Sequence, residues 1–235
     1  MTNYHNTTFL MLNMRIRRNY TKGYSMLHQR QSVAPSHTQE QKRTLRRQFR
    51  QRRNALPDPL ARSIRICERL SGLSAYQQSP VIHSYLPIQS EVDTRPFLRA
   101  ALTAGKQVVV PIVPTAPTMS DTSSENILHH ALLPSLEPDD LLEGALGTLQ
   151  PCAPQWADEG CWQMIVVPML AFDRMGYRLG YGKGFYDRLL ADLGVWKVGV
   201  AFAVQEVDAL PHEPHDIPLD LIITEDEVIT IEQKA

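Results

Sequence analysis

The chain is poor in cysteine and has no long apolar run. Its three cysteines, Cys67, Cys152 and Cys161, are odd in number and show no CxxC spacing. That argues against a disulfide framework or a zinc site and leads us to expect a reducing, cytoplasmic setting. No apolar stretch approaches the roughly 20 residues that cross a bilayer, so no membrane partner is expected. Charge of one sign is also scarce, with a formal net charge of -1. No global field therefore favours nucleic acid, and any anion must be bound by a local patch. His129-His130 and the His212, His215 pair have no supporting ligands nearby in sequence and are given no metal role.

Acids are missing from the start of the chain. Residues 1–39 hold five Lys or Arg and no Asp or Glu. Such a polar segment buries too little to offset ordering entropy. Residues 1–38 are read as a disordered extension or a start placed too far upstream, with Met26 as a later start. A transit peptide is the compositional alternative. Residues 39–235 are expected to form one domain, since 43% apolar and 21% charged residues suit a globular fold.

Helix and strand patterns alternate through that domain. A helix is predicted over 39–54, with Thr38 as N-cap and Gln41 completing a capping box. A second helix is predicted from Pro59 to about Leu70, burying Leu60, Ile64, Cys67 and Leu70. Apolar runs at 81–86, 108–113, 164–169, 197–203 and 219–224 read as strands, with helices at 94–104 and 184–193. Residues 115–163 are proline-rich and aperiodic and read as a hairpin or irregular insertion over the sheet edge. The alternation predicts an α/β fold, a mainly parallel sheet with helices on both faces.

The sharpest motif is Arg178-Leu179-Gly180-Tyr181-Gly182-Lys183-Gly184-Phe185-Tyr186-Asp187. Alternating glycines let main-chain N–H groups approach a ligand, and the following helix adds partial positive charge. Arg178 and Lys183 add full charges suited to phosphate oxygens. The motif is neither a Walker A loop nor GxGxxG, and GxGxG alone is as readily a structural turn. Asp187, in the first helical turn, suits either the helix dipole or Mg²⁺. Asp216 on its own reads as a solvated acid. The predicted first helix crowds Lys42, Arg43, Arg46, Arg47, Arg50, Arg52 and Arg53, with Lys42, Arg46 and Arg50 on one face. A solvated face, a nucleic-acid surface and a clamp on nucleotide phosphates all fit that pattern. Glu91 follows a strand, where a carboxylate can accept substrate N–H groups or simply face solvent.

Residues 168–173 and 176–187 resemble the signature of the 5-formyltetrahydrofolate cyclo-ligase (5,10-methenyltetrahydrofolate synthetase) family. Residues 42–46 are similar to the family's opening helix, and Tyr85-Leu86 with Glu91 to its substrate loop. The resemblance covers about 39–228. It implies a fold like the NagB/RpiA/CoA-transferase group and a monomer that uses ATP and Mg²⁺ to convert 5-formyltetrahydrofolate to 5,10-methenyltetrahydrofolate, ADP and phosphate. Phosphorylation of the formyl oxygen creates a leaving group, and the folate N10 then attacks the carbon. By motif match, ATP is bound by Lys42, Arg43, Arg46, Arg178, Leu179, Gly180, Tyr181, Gly182, Lys183, Gly184, Phe185 and Tyr186, with Lys183 and Arg178 as the catalytic cations. Folate contacts fall to Leu86, Glu91, Tyr181, Gly182, Lys183, Gly184 and Phe185, and Mg²⁺ to Asp187 and Asp216. Tyr181 stands where some relatives carry an arginine, so a cationic folate contact is expected to be lost there. The rival readings are a non-catalytic ATP or sugar-phosphate binding protein and a nucleic-acid-associated protein.

Overall fold

The computed structural model describes residues 37–114, 127–191, 193–213 and 216–232. The leading extension, the start of the central insertion and His215 lie outside these residues. Helices α1 (His37–Asn54), α2 (Pro59–Gly72) and α3 (Ser74–Gln78) precede strand β1 (Val81–His83). Then come α4 (Arg95–Thr103), β2 (Gln107–Ile112), β3 (His129–Leu132), β4 (Leu141–Glu143), β5 (Leu149–Pro151) and β6 (Gln155–Trp156). The remainder is β7 (Met164–Pro168), β8 (Ala171–Phe172), β9 (Arg178–Leu179), α5 (Phe185–Ala191), β10 (Trp196–Val200), β11 (Leu221–Ile223) and β12 (Val228–Thr230).

The main sheet has eight strands in the order β12-β11-β10-β7-β1-β2-β3-β6. From β11 through β2 every pairing is parallel. Antiparallel strands close both edges: β12 on one side, β3 and β6 on the other. The central insertion therefore extends the sheet as well as covering its edge, and its β4–β5 hairpin is the expected one.

Consecutive apolar residues in β2 and β7 alternate between two cores, as strands covered on both faces must. Val108, Val110, Met164 and Val166 pack with Ile66, Leu70, Phe97 and Leu98 of α2 and α4. Val109, Ile165 and Val167 pack with Leu189 and Leu190 of α5. Each such side chain contributes about 1.5–3 kcal/mol on burial. A third cluster joins Phe49 of α1 to Leu170, Ala171 and Leu179 of the β8–β9 hairpin.

Two local expectations change. Helix α1 starts at His37, so Thr38 lies inside it and is not its cap. Helix α2 buries Ser63, Ile66, Cys67 and Leu70, whereas Leu60 and Ile64 are 59% and 41% exposed. The Ser63 hydroxyl sets that rotation: it donates to the Pro59 carbonyl at 2.8 Å and accepts from the Asp93 amide at 3.0 Å.

Sequence order along the sheet runs one way from β1 to β2 and the other way from β7 to β10 and β11. The loops after β1 and β7 diverge at this reversal. Open α/β sheets bind ligands at such a crevice, beyond the carboxyl ends of the strands.

Candidate active site

Four segments meet above that crevice. The loop after β1 carries Leu86 and Glu91. The β8–β9 hairpin leads into the glycine loop and α5. The segment after β10 carries Asp216. Helix α1 packs against β8 and the turn at Ala203–Gln205.

The buried Asp173 carboxylate shapes the entry to the glycine loop. Its Oδ1 accepts from the amides of Met175 at 3.0 Å and Tyr177 at 3.1 Å, and its Oδ2 from Leu210 at 2.9 Å. The chain then reverses at Gly176, with φ 89°, into β9. Beyond it, Gly182 sits at φ 92°, and a Cβ there would lie 3.0 Å from the Arg46 guanidinium carbon. Only glycine combines that backbone with that close approach.

Helix α1 supplies the neighbouring cations. Arg46 donates from Nε to the Gly180 carbonyl at 2.9 Å. Lys42, one turn earlier, reaches Asp216 at 2.7 Å and Glu213 at 3.4 Å. Arg178, with a side chain only 4% exposed, pairs with Asp187 at 2.5 Å and donates to the Ile217 carbonyl at 2.5 Å. Burial lowers the Arg178 pKa, and the charges of Asp187 and Asp216 both oppose that shift. The two acids picked out by sequence therefore share the field of one guanidinium. Each is also ion-paired with a cation picked out as a phosphate ligand.

The remaining candidates divide. Lys183 and Arg43 are exposed, and Arg43 sits one residue round the helix from Lys42. Leu86 is buried. The Tyr186 hydroxyl is buried without a hydrogen-bond partner. Glu91 is 8% exposed and accepts the Ile88 amide at 3.0 Å. Burial pushes its carboxyl upward, against hydrogen bonds from Ile88 and Tyr181 and the charge of Arg53.

Arg53 was not singled out from the sequence. Its side chain is 2% exposed and reaches Tyr181 Oη at 2.7 Å. The site thus has a cation beside position 181 even though that position itself is a tyrosine. The available signal was the stripe Lys42, Arg46, Arg53 at helical spacing. Arg50, which the four-residue pattern favoured, is exposed and has its guanidinium 5.9 Å from the centre of the Tyr181 ring.

His130, given no role from sequence, is buried. Its Nδ1 lies 3.2 Å from Nε2 of buried His83, and both rings lie against Trp162. Among the described residues no group of three or more His, Cys, Asp or Glu could hold a metal.

Comparison with known proteins agrees with this arrangement. The sequence model of the 5-formyltetrahydrofolate cyclo-ligase family matches residues 38–225, which run from α1 through β11. The 5-formyltetrahydrofolate cyclo-ligase of Mus musculus is 30% identical over 204 residues, 79% of this chain and 94% of the mouse protein. That of Escherichia coli K12 is 29% identical over 193 residues, 77% of this chain and 98% of the bacterial one. Among solved structures, the Aquifex aeolicus 5,10-methenyltetrahydrofolate synthetase superposes with a TM-score of 0.67 at 31% identity, over 83% of this chain and 94% of that one. The match spans the parallel sheet, the basic helix α1 and the glycine loop together, so this chain belongs to the 5-formyltetrahydrofolate cyclo-ligase family.

Proposed function

We propose that the protein converts 5-formyltetrahydrofolate and ATP to 5,10-methenyltetrahydrofolate, ADP and phosphate, with Mg²⁺ required. The supporting observation is the double ion pair, Lys42 with Asp216 and Arg178 with Asp187, at the glycine loop. When a nucleotide enters, phosphate oxygens take over the two cations, and the two carboxylates would be released to hold Mg²⁺. Charges already gathered in one place are re-paired, with little new desolvation.

Asp187 and Asp216 fit Mg²⁺, which favours one or two carboxylates plus phosphate oxygens. Bound there, the metal would neutralise charge on the transferring phosphoryl group. Lys42, Arg46 and Arg178 bind the phosphates, and Lys183 at the loop tip reaches the terminal group with the loop amides. The terminal phosphoryl passes to the formyl oxygen and ADP leaves. The folate N10 attacks the activated carbon, loses its proton, and phosphate departs as the ring closes. Glu91 accepts N–H groups of the folate and fixes its orientation. The protein's contribution is positioning and charge neutralisation, as in other phosphoryl transfers.

A non-catalytic ATP or sugar-phosphate binder needs neither Glu91 nor Asp216, yet both belong to this crevice. A nucleic-acid role is weakened because Lys42, Arg46 and Arg53 of the basic helix turn inward. Incubation with ATP, Mg²⁺ and 5-formyltetrahydrofolate should build the near-ultraviolet absorbance of the methenyl product, with one ADP per product. ATP hydrolysis without that absorbance would reject the assignment.

A further inference from the structure

Arg53 is the most deeply buried cation of α1. It lies seven residues beyond Arg46, two helical turns on, and so projects from the same face. Its fork engages three segments. Nε donates to Ser90 Oγ at 3.1 Å in the loop after β1. Nη1 donates to the Met169 carbonyl at 3.3 Å, between β7 and β8. Nη2 donates to Tyr181 Oη at 2.7 Å in the glycine loop. A planar guanidinium makes three such bonds at fixed angles, whereas a lysine ammonium does not reproduce that fork.

None of these acceptors is charged, and among the described residues Arg53 has no carboxylate at ion-pair distance. Burying a cation against neutral acceptors is expensive, and an apolar residue would serve a purely structural purpose better. The negative group that feels its charge is Glu91. Tyr181 links the two, since its hydroxyl accepts from Arg53 and its phenol is raised by burial and in part by the charge of Glu91.

We propose that Arg53 is a positioning residue for the folate side of the site. It ties Ser90, Met169 and Tyr181 into one frame and holds the Tyr181 hydroxyl against Glu91. This rests on the proposed folate reaction, in which Glu91 must be ionised to accept substrate N–H groups. One helix face then serves both halves of the site, Lys42 and Arg46 toward the nucleotide and Arg53 toward the folate.

The groups facing Glu91 define what removal of Arg53 should do. They are Arg53 from α1, Tyr85 from the segment after β1, Tyr181 from the glycine loop and Tyr186 from α5. Burial pushes the Tyr181 phenol up to about 12, and Tyr85 and Tyr186 are raised as well, so the tyrosines stay neutral. Arg53 is the cation of the set, and without it Glu91 takes up a proton at higher pH.

The test is steady-state kinetics of the full chain and its Arg53→Met, Arg53→Lys and Tyr181→Phe variants from pH 5.5 to 8.5. Arg53→Met should raise KM for 5-formyltetrahydrofolate about 10- to 100-fold, the range for a lost hydrogen bond to a charged group. KM for ATP should stay within about twofold, because the phosphate cations are untouched. The acidic limb of kcat/KM for the folate should move to higher pH in Arg53→Met and, by less, in Tyr181→Phe. Arg53→Lys should restore the limb but only part of the KM.

Equal changes in both KM values with an unmoved acidic limb would show a merely structural residue and overturn the proposal. Because loss of a buried cation can unfold the chain, Arg53→Lys and Tyr181→Phe decide the matter if Arg53→Met does not fold. An unchanged folate KM in both overturns it. A wild type without turnover sinks the proposed reaction and this inference together. A wild type that turns over beside an unaltered Arg53→Met sinks this inference alone.

Discussion

The glycine-loop corner and the His83–His130–Trp162 cluster under the sheet both gather polar side chains, but they hold them in opposite ways. At the loop, cations meet carboxylates near solvent, with Lys42 12% and Asp216 16% exposed, so partners can be exchanged for a ligand. Under the sheet, two imidazoles and an indole are enclosed by apolar residues, and His83 Nδ1 and Trp162 Nε1 have no partner. Burial lowers both histidines, His83 well below its ordinary value and His130 to about 4. Charge that can be re-paired suits binding, whereas polar groups that must stay neutral only stabilise, and only within a pH range.

The largest break in that comparison should come from the loop. Lys183→Ala and Asp187→Ala should each lower kcat by about 100- to 1000-fold, the scale of one lost charge-stabilising group, with circular dichroism spectra unchanged. Full turnover by either would remove that residue from the mechanism.

Gly182→Ala comes next. It forces an alanine to φ 92° with its Cβ 3.0 Å from the Arg46 guanidinium. We expect stability to fall by about 1–3 kcal/mol and ATP affinity to drop as Arg46 is displaced. Gly72→Ala is the contrast. Nothing lies within 4 Å of a Cβ there, and α2 should gain up to about 1 kcal/mol. Urea titrations read both, and a matching loss in the two variants would deny the loop its special backbone.

The histidine cluster should show in acid. Folded His130 stays neutral down to about 4, whereas in the unfolded chain it takes up a proton near 6.5. The unfolded state therefore binds more protons between those values. The stabilisation is complete above pH 6.5 and fades as the pH falls toward 4, by on the order of 3 kcal/mol. Urea titrations at pH 7.5 and 5.0 should differ accordingly, and His130→Leu should reduce the difference, leaving the share of His83. An equal slope in that variant would place the acid sensitivity elsewhere. The smallest effect is expected from deleting residues 1–35, which precede the family match, and kcat/KM should not change.

Much of the fold was legible because burial on both faces writes itself into sequence. The runs at 108–113 and 164–169 became β2, shifted one residue earlier, and β7, one residue shorter at its end. The antiparallel edge strands β3, β6 and β12 left weaker traces. They are two to four residues long, too short for a period to show. The face of α2 was misjudged because Leu60 and Ile64 carry an apolar pattern that the Ser63 hydrogen bonds override. At the site, the glycines and flanking charges were readable as a motif, but Arg53 was one arginine in a crowd.

The order of strands and helices, and a loop able to wrap an anion, follow from the sequence, since both depend on neighbours within a few residues. Which charge meets which did not. Lys42 finds Asp216 across 174 residues, and Arg53 finds Tyr181 across 128. Those partnerships exist only after the sheet has reversed its strand order between β1 and β7 and brought four separate segments over one crevice. An ion pair or hydrogen bond depends on distance in space, and only the closed fold sets that distance.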